Sequence, residues 1–586
     1  MDNTLRKDGP RISIGIPLVI AVTGHRDLVP EEVPALKAVV RERLEALRDR
    51  FPNHQLTIMS ALAEGADLLV AEVAVELQFN LIVPLPKELL VYREEIASSA
   101  AREKFDAYCD YASDVFTLDQ NWPAAPAGED PEEWQNNYSY AQLGMFLCGH
   151  CHILLALWDG FYSDAMGGTA QVVHFHHDNI MSGAAETSAT SQAMLVDDES
   201  DLVLHIVCSR QSNPDGPNPD FDSLDWFWFT KDEEQPRAKE LLSQHDLIFR
   251  RASDFILDAR AHSEEITANT RSLIPDGLDK PLPTGTGNID DVYCIADWLA
   301  MHYQKLTLRT LLLSHLFGFS MGFMFILFSD LETLSIFLWL FLSFFAAGVV
   351  TQVIARKKGW QRRYIDYRTL AEGLRVQFFW AVSGVVSEQN WRYAHDAYLQ
   401  GQAAEIGWIR NIMRVAGLRS DATRDREESW VSFVELEWVG DETRGQLGYF
   451  KRKAKERLQR NKITQNLGRL SLVVSVLSVV GLLLATRYIS QTGETILILI
   501  MGSTLLTYAV REGYSYATGT NELVKQYDMM QRIYHNAYRR LSAASSLSER
   551  RQILLALGQS ALDENSDWLQ MNRERSMEKK EVWRVG

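Results

Sequence analysis

The stretch that decides the architecture is LLLSHLFGFSMGFMFILF, residues 311–328, followed after a short turn by LSIFLWLFLSFFAAGVVTQVI, residues 334–354. A second pair of apolar runs lies at Leu470–Leu484 and Ile496–Val510. At about 1.5 Å rise per residue, each run is about long enough to cross a hydrocarbon core of ~30 Å. A backbone inside lipid must satisfy its own hydrogen bonds, so the runs are predicted to be helices. The sequence therefore predicts an all-α membrane domain with four spans in two hairpins.

The 586-residue chain as a whole has the composition of an ordinary globular protein, with 46% hydrophobic and 23% charged residues. Its net charge of -18 argues against nucleic acid as a partner, because phosphate backbones are bound by basic surfaces. Its cysteines are odd in number and irregularly spaced, which indicates reduced thiols. They are Cys109, Cys148, Cys151, Cys208 and Cys294. Met1–Pro10 is polar, so no signal peptide is expected.

Basic residues gather at the open ends of both predicted hairpins. They are Lys305, Arg309, Arg356, Lys357, Lys358, Arg362, Arg363, Lys451, Arg452, Lys453, Lys455, Arg457, Arg460, Lys462, Arg469 and Arg511. The tips carry Asp330 and Glu332 in the first hairpin, and Arg487 and Glu494 in the second. Because basic flanks stay on the cytoplasmic side, we expect a multi-pass protein of the inner (plasma) membrane. Both termini and the soluble head are then cytoplasmic.

Residues 1–210 alternate short strand patterns with amphipathic helical patterns. This alternation predicts an α/β Rossmann-like domain with a parallel sheet and helices on both faces. The predicted strands are Leu18–Thr23, Gln55–Ser60, Asn80–Pro84, Val115–Leu118, His152–Leu157 and Leu202–Val207, the last of which closes the sheet. The predicted helices are Glu31–Asp49, Ala66–Gln78, Glu88–Tyr111 and Glu133–Gly149. Ser182–Ser200, rich in small polar and acidic residues, predicts a mobile loop.

Helical patterns dominate the remainder of the chain. Residues 211–289 are predicted as a helical extension, Arg237–Ser272, and a Pro- and Gly-rich linker. Asp290–Arg309 then predicts a helix that runs directly into the first span. The order polar helix, apolar hairpin, polar helix occurs twice, about 160 residues apart, which indicates an internal repeat. The two hairpin units are 290–400 and 401–586.

Three loops at the carboxyl ends of predicted strands combine small residues with hydrogen-bond donors: TGHR at 23–26, SALAEGAD at 60–67 and GGT at 167–169. Ligands of open α/β sheets bind at this edge, near a reversal of strand order. Glycine there lets the backbone approach a phosphate. We therefore predict a nucleotide or nucleotide-derived ligand, with ordinary turn chemistry as the alternative. The predicted ligand-binding residues are Thr23, Gly24, His25, Arg26, Ser60, Glu64, Gly65, Asp67, Gly167, Gly168 and Thr169.

The order TGHR, then S-A-x-A-x-G-A-D, then GGT after an apolar strand resembles the SLOG superfamily of Rossmann-like domains, related to the SMF/DprA and LOG proteins. This resemblance covers Ile14 to Val207. The hairpin units resemble the SLATT-type transmembrane domains that accompany such heads. The second resemblance rests on Trp360, Tyr364, Tyr367, Ala371, Glu372, Trp408, Ile409, Arg410, Trp438, Gln446 and Tyr449. Together they imply a head that recognises a nucleotide-derived signal and a membrane part that responds as a pore in bacterial conflict or antiphage defence.

One departure from this resemblance bears on catalysis. LOG-type phosphoribohydrolases share a PGG-x-GT motif followed by an acidic residue that supports glycosidic cleavage, whereas this chain reads MGGTAQ at 166–171. An oxocarbenium-like transition state needs placed carboxylates, and Glu64 and Asp67 are the candidates to replace the missing acid. We expect binding without turnover. A membrane-tethered, phosphoribohydrolase-like nucleotide hydrolase is the alternative function.

Cysteine and histidine residues cluster at 148–152, and three more histidines follow the GGT loop at 174–177. Zinc prefers such ligands, but the spacing fits no standard zinc template. The sequence therefore predicts no metal site and no cofactor.

Within the spans, His315 is an ionisable candidate for function, and Gly318 and Gly322 permit close helix contact. A stripe of small residues, Gly468, Ser471, Ser475 and Ser478, either packs against another helix or lines an aqueous path. The spans nearly lack charged residues, which disfavours a constitutive transporter. A pore built from such spans is expected to be a homo-oligomer.

Overall fold

The computed structural model describes residues 16–120, 122–185, 201–232, 237–275, 277–278, 280–330, 335–385, 393, 398–399, 402–422, 426–485 and 489–574. The chain divides into two compact units. The first, the head unit, comprises Met1–Ile295 and Leu370–Glu427. The second, the membrane unit, comprises Ala296–Thr369 and Glu428–Gly586. The four predicted spans all belong to the membrane unit.

The head unit contains a seven-stranded sheet with the order β4-β3-β2-β1-β5-β6-β7. Its strands are β1 Pro17–Gly24, β2 Gln55–Met59, β3 Asn80–Leu85, β4 Asp114–Thr117, β5 Ile153–Trp158, β6 Val203–Val207 and β7 Trp226–Phe229. All neighbouring pairs are parallel except β6 and β7. In the central pair, Ala21 of β1 lies opposite Leu154 of β5, and both are fully buried. Such uninterrupted burial is typical of a parallel strand covered on both faces.

Helices alternate with these strands and then take over the chain. In the first part they are α1 Val33–Arg50, α2 Ala66–Glu76, α3 Leu89–Glu95, α4 Ser99–Tyr111, α5 Pro131–His150, α6 Thr169–Asp178, α7 Ser243–Ala261 and α8 Ser263–Asn269. In the second part they are α9 Thr286–Asp330, α10 Ser335–Lys358, α11 Trp360–Ser383, α12 Gly407–Asp421, α13 Glu428–Val434, α14 Gly445–Ala485, α15 Gln491–Ala517, α16 Thr520–Ala543 and α17 Leu547–Glu574. The predicted layout, an α/β head followed by helices, is confirmed.

The stretch Glu88–Tyr111 is two helices, α3 and α4, and the prediction of one helical stretch is wrong there. The backbone is extended at Ile96, which ends the first helix. Ser98 caps the second, because its hydroxyl accepts a hydrogen bond from the Ala101 amide at 3.3 Å. A serine before a helical pattern was the available signal for this break.

The sheet does not close at β6, contrary to the prediction. The aromatic strand β7 adds to it in the antiparallel sense. Arg43 stacks on the Trp226 ring, with 4.0 Å from its Cζ to the ring centroid. Beyond β7, the Trp228 and Ala238 backbones exchange two hydrogen bonds, which covers this part of the sheet edge.

The head unit also includes α12, which follows the first hairpin in the sequence. Its Asn411 carbonyl lies 3.0 Å from His152 Nε2, and its Asp421 carboxylate lies 3.1 Å from His150 Nε2. Trp408, at the start of this helix, is only 1% exposed. This grouping differs from the predicted unit boundaries at 289 and 400, because these contacts join residues about 260 positions apart in the chain.

Among the described residues, α9, α10, α14 and α15 are long and apolar enough to cross a membrane. The predicted helix before the first span is continuous with it, since α9 is 45 residues long. Large apolar side chains are exposed within these helices, for example Leu312 at 59%, Trp339 at 70% and Leu483 at 78%. Such a surface is stable against lipid rather than water. The orientation in the membrane stays a prediction, and Glu332 and Arg487 lie outside the described residues.

Some small residues of the spans lie at helix contacts, whereas a Cβ on Gly318 would meet no described atom within 4 Å, so Gly318 makes no close helix contact there. Ser475, within the predicted stripe, is buried and donates to the Met501 carbonyl of α15 at 3.3 Å. A Cβ on Gly322 would lie 2.9 Å from a leucine side chain of α15. His315 Nδ1 bonds within its own helix, and its ring meets the edge of Tyr514 at 5.3 Å. These contacts favour helix packing over an aqueous path for the stripe.

Candidate functional site

A crevice opens where the strand order of the head unit reverses. The chain builds β1 to β4 outward in one direction and then returns to place β5 on the other side of β1. The loops that follow β1 and β5 therefore leave the sheet in opposite directions, and ligands of open α/β sheets bind at such a point. A cavity of about 370 Å³ lies here.

Eight of the eleven predicted ligand-binding residues line this cavity: Thr23, Gly24, His25, Arg26, Asp67, Gly167, Gly168 and Thr169. Ser60, Glu64 and Gly65 do not line it. The buried Ser60 hydroxyl accepts a hydrogen bond from the Leu62 amide at 3.2 Å and so shapes the second loop. The structure thus brings residues of all three predicted loops to the wall of this cavity, while Ser60, Glu64 and Gly65 of the second loop are not part of that wall.

Gly65 holds the first two loops together. Its φ is +91°, and a Cβ would lie 2.5 Å from the carbonyl oxygens of His25 and Arg26. The next amide, that of Ala66, donates to the His25 carbonyl at 3.1 Å. Only glycine allows this approach. Gly65 therefore fixes the position of Arg26 without facing the cavity.

His25 and Asp159 connect the loop after β1 to the loop after β5. His25 Nε2 lies 3.1 Å from Asp159 Oδ1 and also 3.1 Å from the Asp159 amide. The same Oδ1 accepts from the Phe161 amide at 3.1 Å. Burial raises the pKa of Asp159, but the hydrogen bond and charge of His25 outweigh it and leave that pKa lowered. Asp159 is therefore an ionised anchor of the crevice.

Arg26 and Asp67 place a cation and a carboxyl in the wall of the cavity. Arg26 Cζ lies 4.7 Å from the centroid of the Tyr140 ring, and the Tyr140 hydroxyl donates to Glu95 Oε2 at 2.5 Å. Asp67 is 8% exposed, and desolvation raises its pKa to about 7 against the attraction of Arg26. The cavity thus contains a stacked cation beside a carboxyl that is half protonated near neutral pH.

The GGT loop leads into α6, whose first turn faces the cavity. Gly168 is the residue before the helix, Thr169 begins it, and both line the cavity. The side chain of the fully buried Gln171 donates to the Ser163 carbonyl at 2.8 Å and accepts from the Ser182 amide at 3.1 Å. Gln171, the last residue of MGGTAQ, therefore fixes this loop, while the free amides of the first turn are available to an anion.

Two aromatic side chains stand at the rim of the cavity. Phe161 is 40% exposed and Tyr162 is 63% exposed, and both line the cavity. Exposed aromatic faces are the usual surfaces on which bases stack. Sequence reasoning missed these two residues together with Tyr140 and Asp159. The acid that directly follows an apolar strand was the signal that could have identified Asp159.

The cysteines and histidines weighed as metal ligands have other contacts. His152 Nδ1 accepts from the Val19 amide at 2.9 Å, and its Nε2 lies 3.0 Å from the Asn411 carbonyl. Desolvation lowers the pKa of His152 to about 3, so the ring is neutral. Cys148 donates to the Val172 carbonyl at 3.5 Å. Within the described part of the chain, neither cluster brings three ligand atoms together.

No family model matches the chain, and no curated protein matches it either. The resemblance to SLOG and SLATT domains accordingly stays a prediction. The inference about function rests on the geometry of the cavity.

Proposed function

We propose that the head unit binds a nucleotide or nucleotide-derived phosphate and that this binding controls the membrane unit. The observation that carries the proposal is the cavity of about 370 Å³ at the β1/β5 crevice, with Arg26 and the first turn of α6 in its wall. Guanidinium groups and helix N-terminal amides are the common protein ligands of phosphate.

Each part of the cavity has a separate task in this proposal. The amides of Thr169 and Ala170 and the Arg26 guanidinium hold the phosphate. Phe161 and Tyr162 at the rim stack on the base. Asp159 remains bonded to His25 and keeps the two loops in place. Because the aromatic contacts recognise a flat ring rather than a hydrogen-bond pattern, they select nucleotides as a class.

The membrane unit is proposed to respond by gating or assembling a pore, in a bacterial conflict or antiphage defence system. The chain passes from one unit to the other within α9, and it passes back within α11. A ligand shifts a two-state equilibrium only through its differential affinity for the two states. A hundredfold shift needs about 3 kcal/mol, which a few charge-assisted hydrogen bonds can supply. A repeat of two hairpins in a homo-oligomer is a suitable basis for a pore.

Thermal unfolding of the purified full chain with AMP, ADP, ATP and cyclic AMP tests the binding step. A nucleotide at one hundred times its dissociation constant stabilises the folded protein by about 2.7 kcal/mol. The Arg26→Gln variant should bind at least about tenfold more weakly, because it loses a charge-assisted contact. Arg48→Gln, an exposed arginine on α1, is the matched control and should bind normally. Equal binding by both variants, or binding by neither these nor the unmodified chain, would contradict the proposal.

The second candidate function is the membrane-tethered nucleotide hydrolase, and one observation favours it. Asp67 lines the cavity with a pKa of about 7, the range in which a carboxyl serves as general acid. Release of free base from nucleoside monophosphates by the full chain is the assay. Activity that is lost in Asp67→Asn and kept in Glu64→Gln would identify the enzyme, since Glu64 does not line the cavity. Absence of turnover with a bound nucleotide supports the sensor.

A further inference from the structure

A second cavity, of about 300 Å³, lies within the membrane unit. Its wall includes Leu308 and Leu311 of α9 and Gln352 and Arg356 of α10, at the basic ends of the first two spans. The side chains of Gln352 and Ser314 are joined by a hydrogen bond of 2.7 Å, which aligns these two helices beside the cavity. The cavity therefore stands where the apolar surface of the spans gives way to polar helix.

The chemistry of the wall suits an anion. Arg356 of α10 and Arg457 of α14 line the cavity, and no described residue that lines it is acidic. Within the described part of the chain, neither arginine forms a salt bridge. Amide and hydroxyl side chains such as Gln304 and Thr310 supply further polar groups. Two cations in a concave wall that has no acidic residue among its described lining attract phosphate.

One side of the cavity continues into the lipid-facing surface. Leu308 lines the cavity and is 45% exposed, and Leu312, one turn further into the span, is 59% exposed. Trp360 and Trp568 line the same cavity. Tryptophan is enriched where a membrane protein meets the headgroup layer. A molecule with a phosphate and a long apolar tail can contact all of these groups together.

We infer that this cavity is a binding site for the headgroup of an anionic phospholipid. The phosphate contacts Arg356 and Arg457, and an acyl chain lies along Leu308 and Leu312. Basic pockets between spans on the cytoplasmic side are a physical basis for such recognition. This inference is independent of the nucleotide proposed for the head unit, since it uses no residue of that cavity.

The test is a titration of the purified full chain in a neutral detergent with phosphatidylglycerol, followed by native mass spectrometry. The double variant R356Q/R457Q should bind about 30-fold more weakly. Each basic residue near an anionic lipid contributes about 1 kcal/mol, and about 1.4 kcal/mol is a factor of ten. The control K357Q/R460Q removes the same charge from the same two helices outside the cavity, and its affinity should change by less than about threefold. Equal losses in the two double variants would overturn the site.

Three further measurements complete the test: two identify the occupant, and the third guards against misfolding. Phosphatidylcholine, which has a phosphate but no net charge, should bind at least about tenfold more weakly than phosphatidylglycerol. Water-soluble glycerol 3-phosphate should bind far more weakly than the lipid, because it lacks the apolar tail; equal binding would overturn a lipid as occupant. Arg457 is exposed, so R457Q alone should fold normally and bind about fivefold more weakly. Unchanged binding by folded R457Q would contradict the inference.

Discussion

Replacing Asp67 by asparagine should stabilise the head unit at pH 8 far more than at pH 5. Desolvation raises the pKa of Asp67 from 3.8 to about 7, with Arg26 opposing the shift. The folded state therefore holds this proton more tightly than the unfolded chain does. As pH rises from about 4 to about 7, the unfolded chain releases the proton first, so the folded state loses stability relative to it. Above about pH 7 the loss is complete.

The magnitude follows from the size of this shift. One pKa unit corresponds to about 1.36 kcal/mol, so the buried carboxyl costs about 4 kcal/mol at pH 8. About 1–2 kcal/mol of this is already present at pH 5, which leaves about 2–3 kcal/mol to develop between the two pH values. Asparagine does not titrate in this range. The advantage of Asp67→Asn over the unmodified chain should therefore grow by about 2–3 kcal/mol from pH 5 to pH 8.

Thermal unfolding of the full chain, followed by tryptophan fluorescence at pH 5, 6, 7 and 8, measures this difference. At about 2 °C per kcal/mol for a large unit, the gap between the two Tm values should widen by about 5 °C. Glu64→Gln is the control, because its carboxyl lies outside the cavity, and its gap should stay constant. A gap that is the same for Asp67→Asn at all four pH values would refute the assignment of a raised pKa to Asp67.

Three other predictions follow from buried contacts of the head unit. Gly65→Ala should lower the free energy of unfolding by more than about 2 kcal/mol and abolish nucleotide binding, because its Cβ would meet two carbonyl oxygens at 2.5 Å; Gly128→Ala, with φ +102° and open space, should cost about 1 kcal/mol in the same denaturation assay. His152→Ala should cost about 2–5 kcal/mol, since it strands a buried amide and a carbonyl; the difference in unfolding free energy between the unmodified chain and this variant should shrink as pH falls from 6.5 towards 3, and a difference that stays constant with pH would exclude the lowered pKa of His152. Maleimide should modify native Cys109 slowly and leave the four buried cysteines intact, because burial raises the Cys109 pKa to about 12; mass spectrometry after proteolysis identifies the modified thiol, and rapid labelling of Cys151 would contradict the packing.

The sequence predicts well what depends on local pattern. Apolar runs of membrane length predicted the four described helices that are long and apolar enough to cross a membrane, and alternating patterns predicted the six parallel strands to within about a residue at their ends. The loops were predictable because each lies in the connection from a strand to the next helix, and parallel strands end at one edge of their sheet. Thr23–Arg26 and Gly167–Thr169 therefore line the same cavity, because the strands that precede them end at the same edge of the sheet.

The remainder depends on contacts between residues far apart in the chain. Tyr140 reaches Arg26 from the middle of α5, where its spacing resembles that of an ordinary core residue. The pKa of Asp67 is set by burial, and a sequence gives no direct measure of burial. The packing of α12 within the head unit brings Asn411 next to His152, although the first membrane hairpin lies between these two residues in the sequence. Such contacts are seen only in the folded structure, because neither the hydrophobic periodicity nor the motifs of a segment indicate which distant segment it packs against.

Three carboxyls line the cavity, and that of Asp27 already accepts a hydrogen bond from Arg210 at 3.0 Å. The other two, Asp67 and Asp159, bear on the choice between sensing and hydrolysis. Their environments push their pKa values apart, with that of Asp67 raised and that of Asp159 lowered, as in a general acid paired with a base. However, Asp159 Oδ1 already accepts from the Phe161 amide and lies 3.1 Å from His25 Nε2. Moving it toward a substrate or water would break the connection between the loops after β1 and β5. Since glycoside hydrolysis commonly requires a second, available carboxylate, this cavity is better suited to hold a nucleotide than to cleave it.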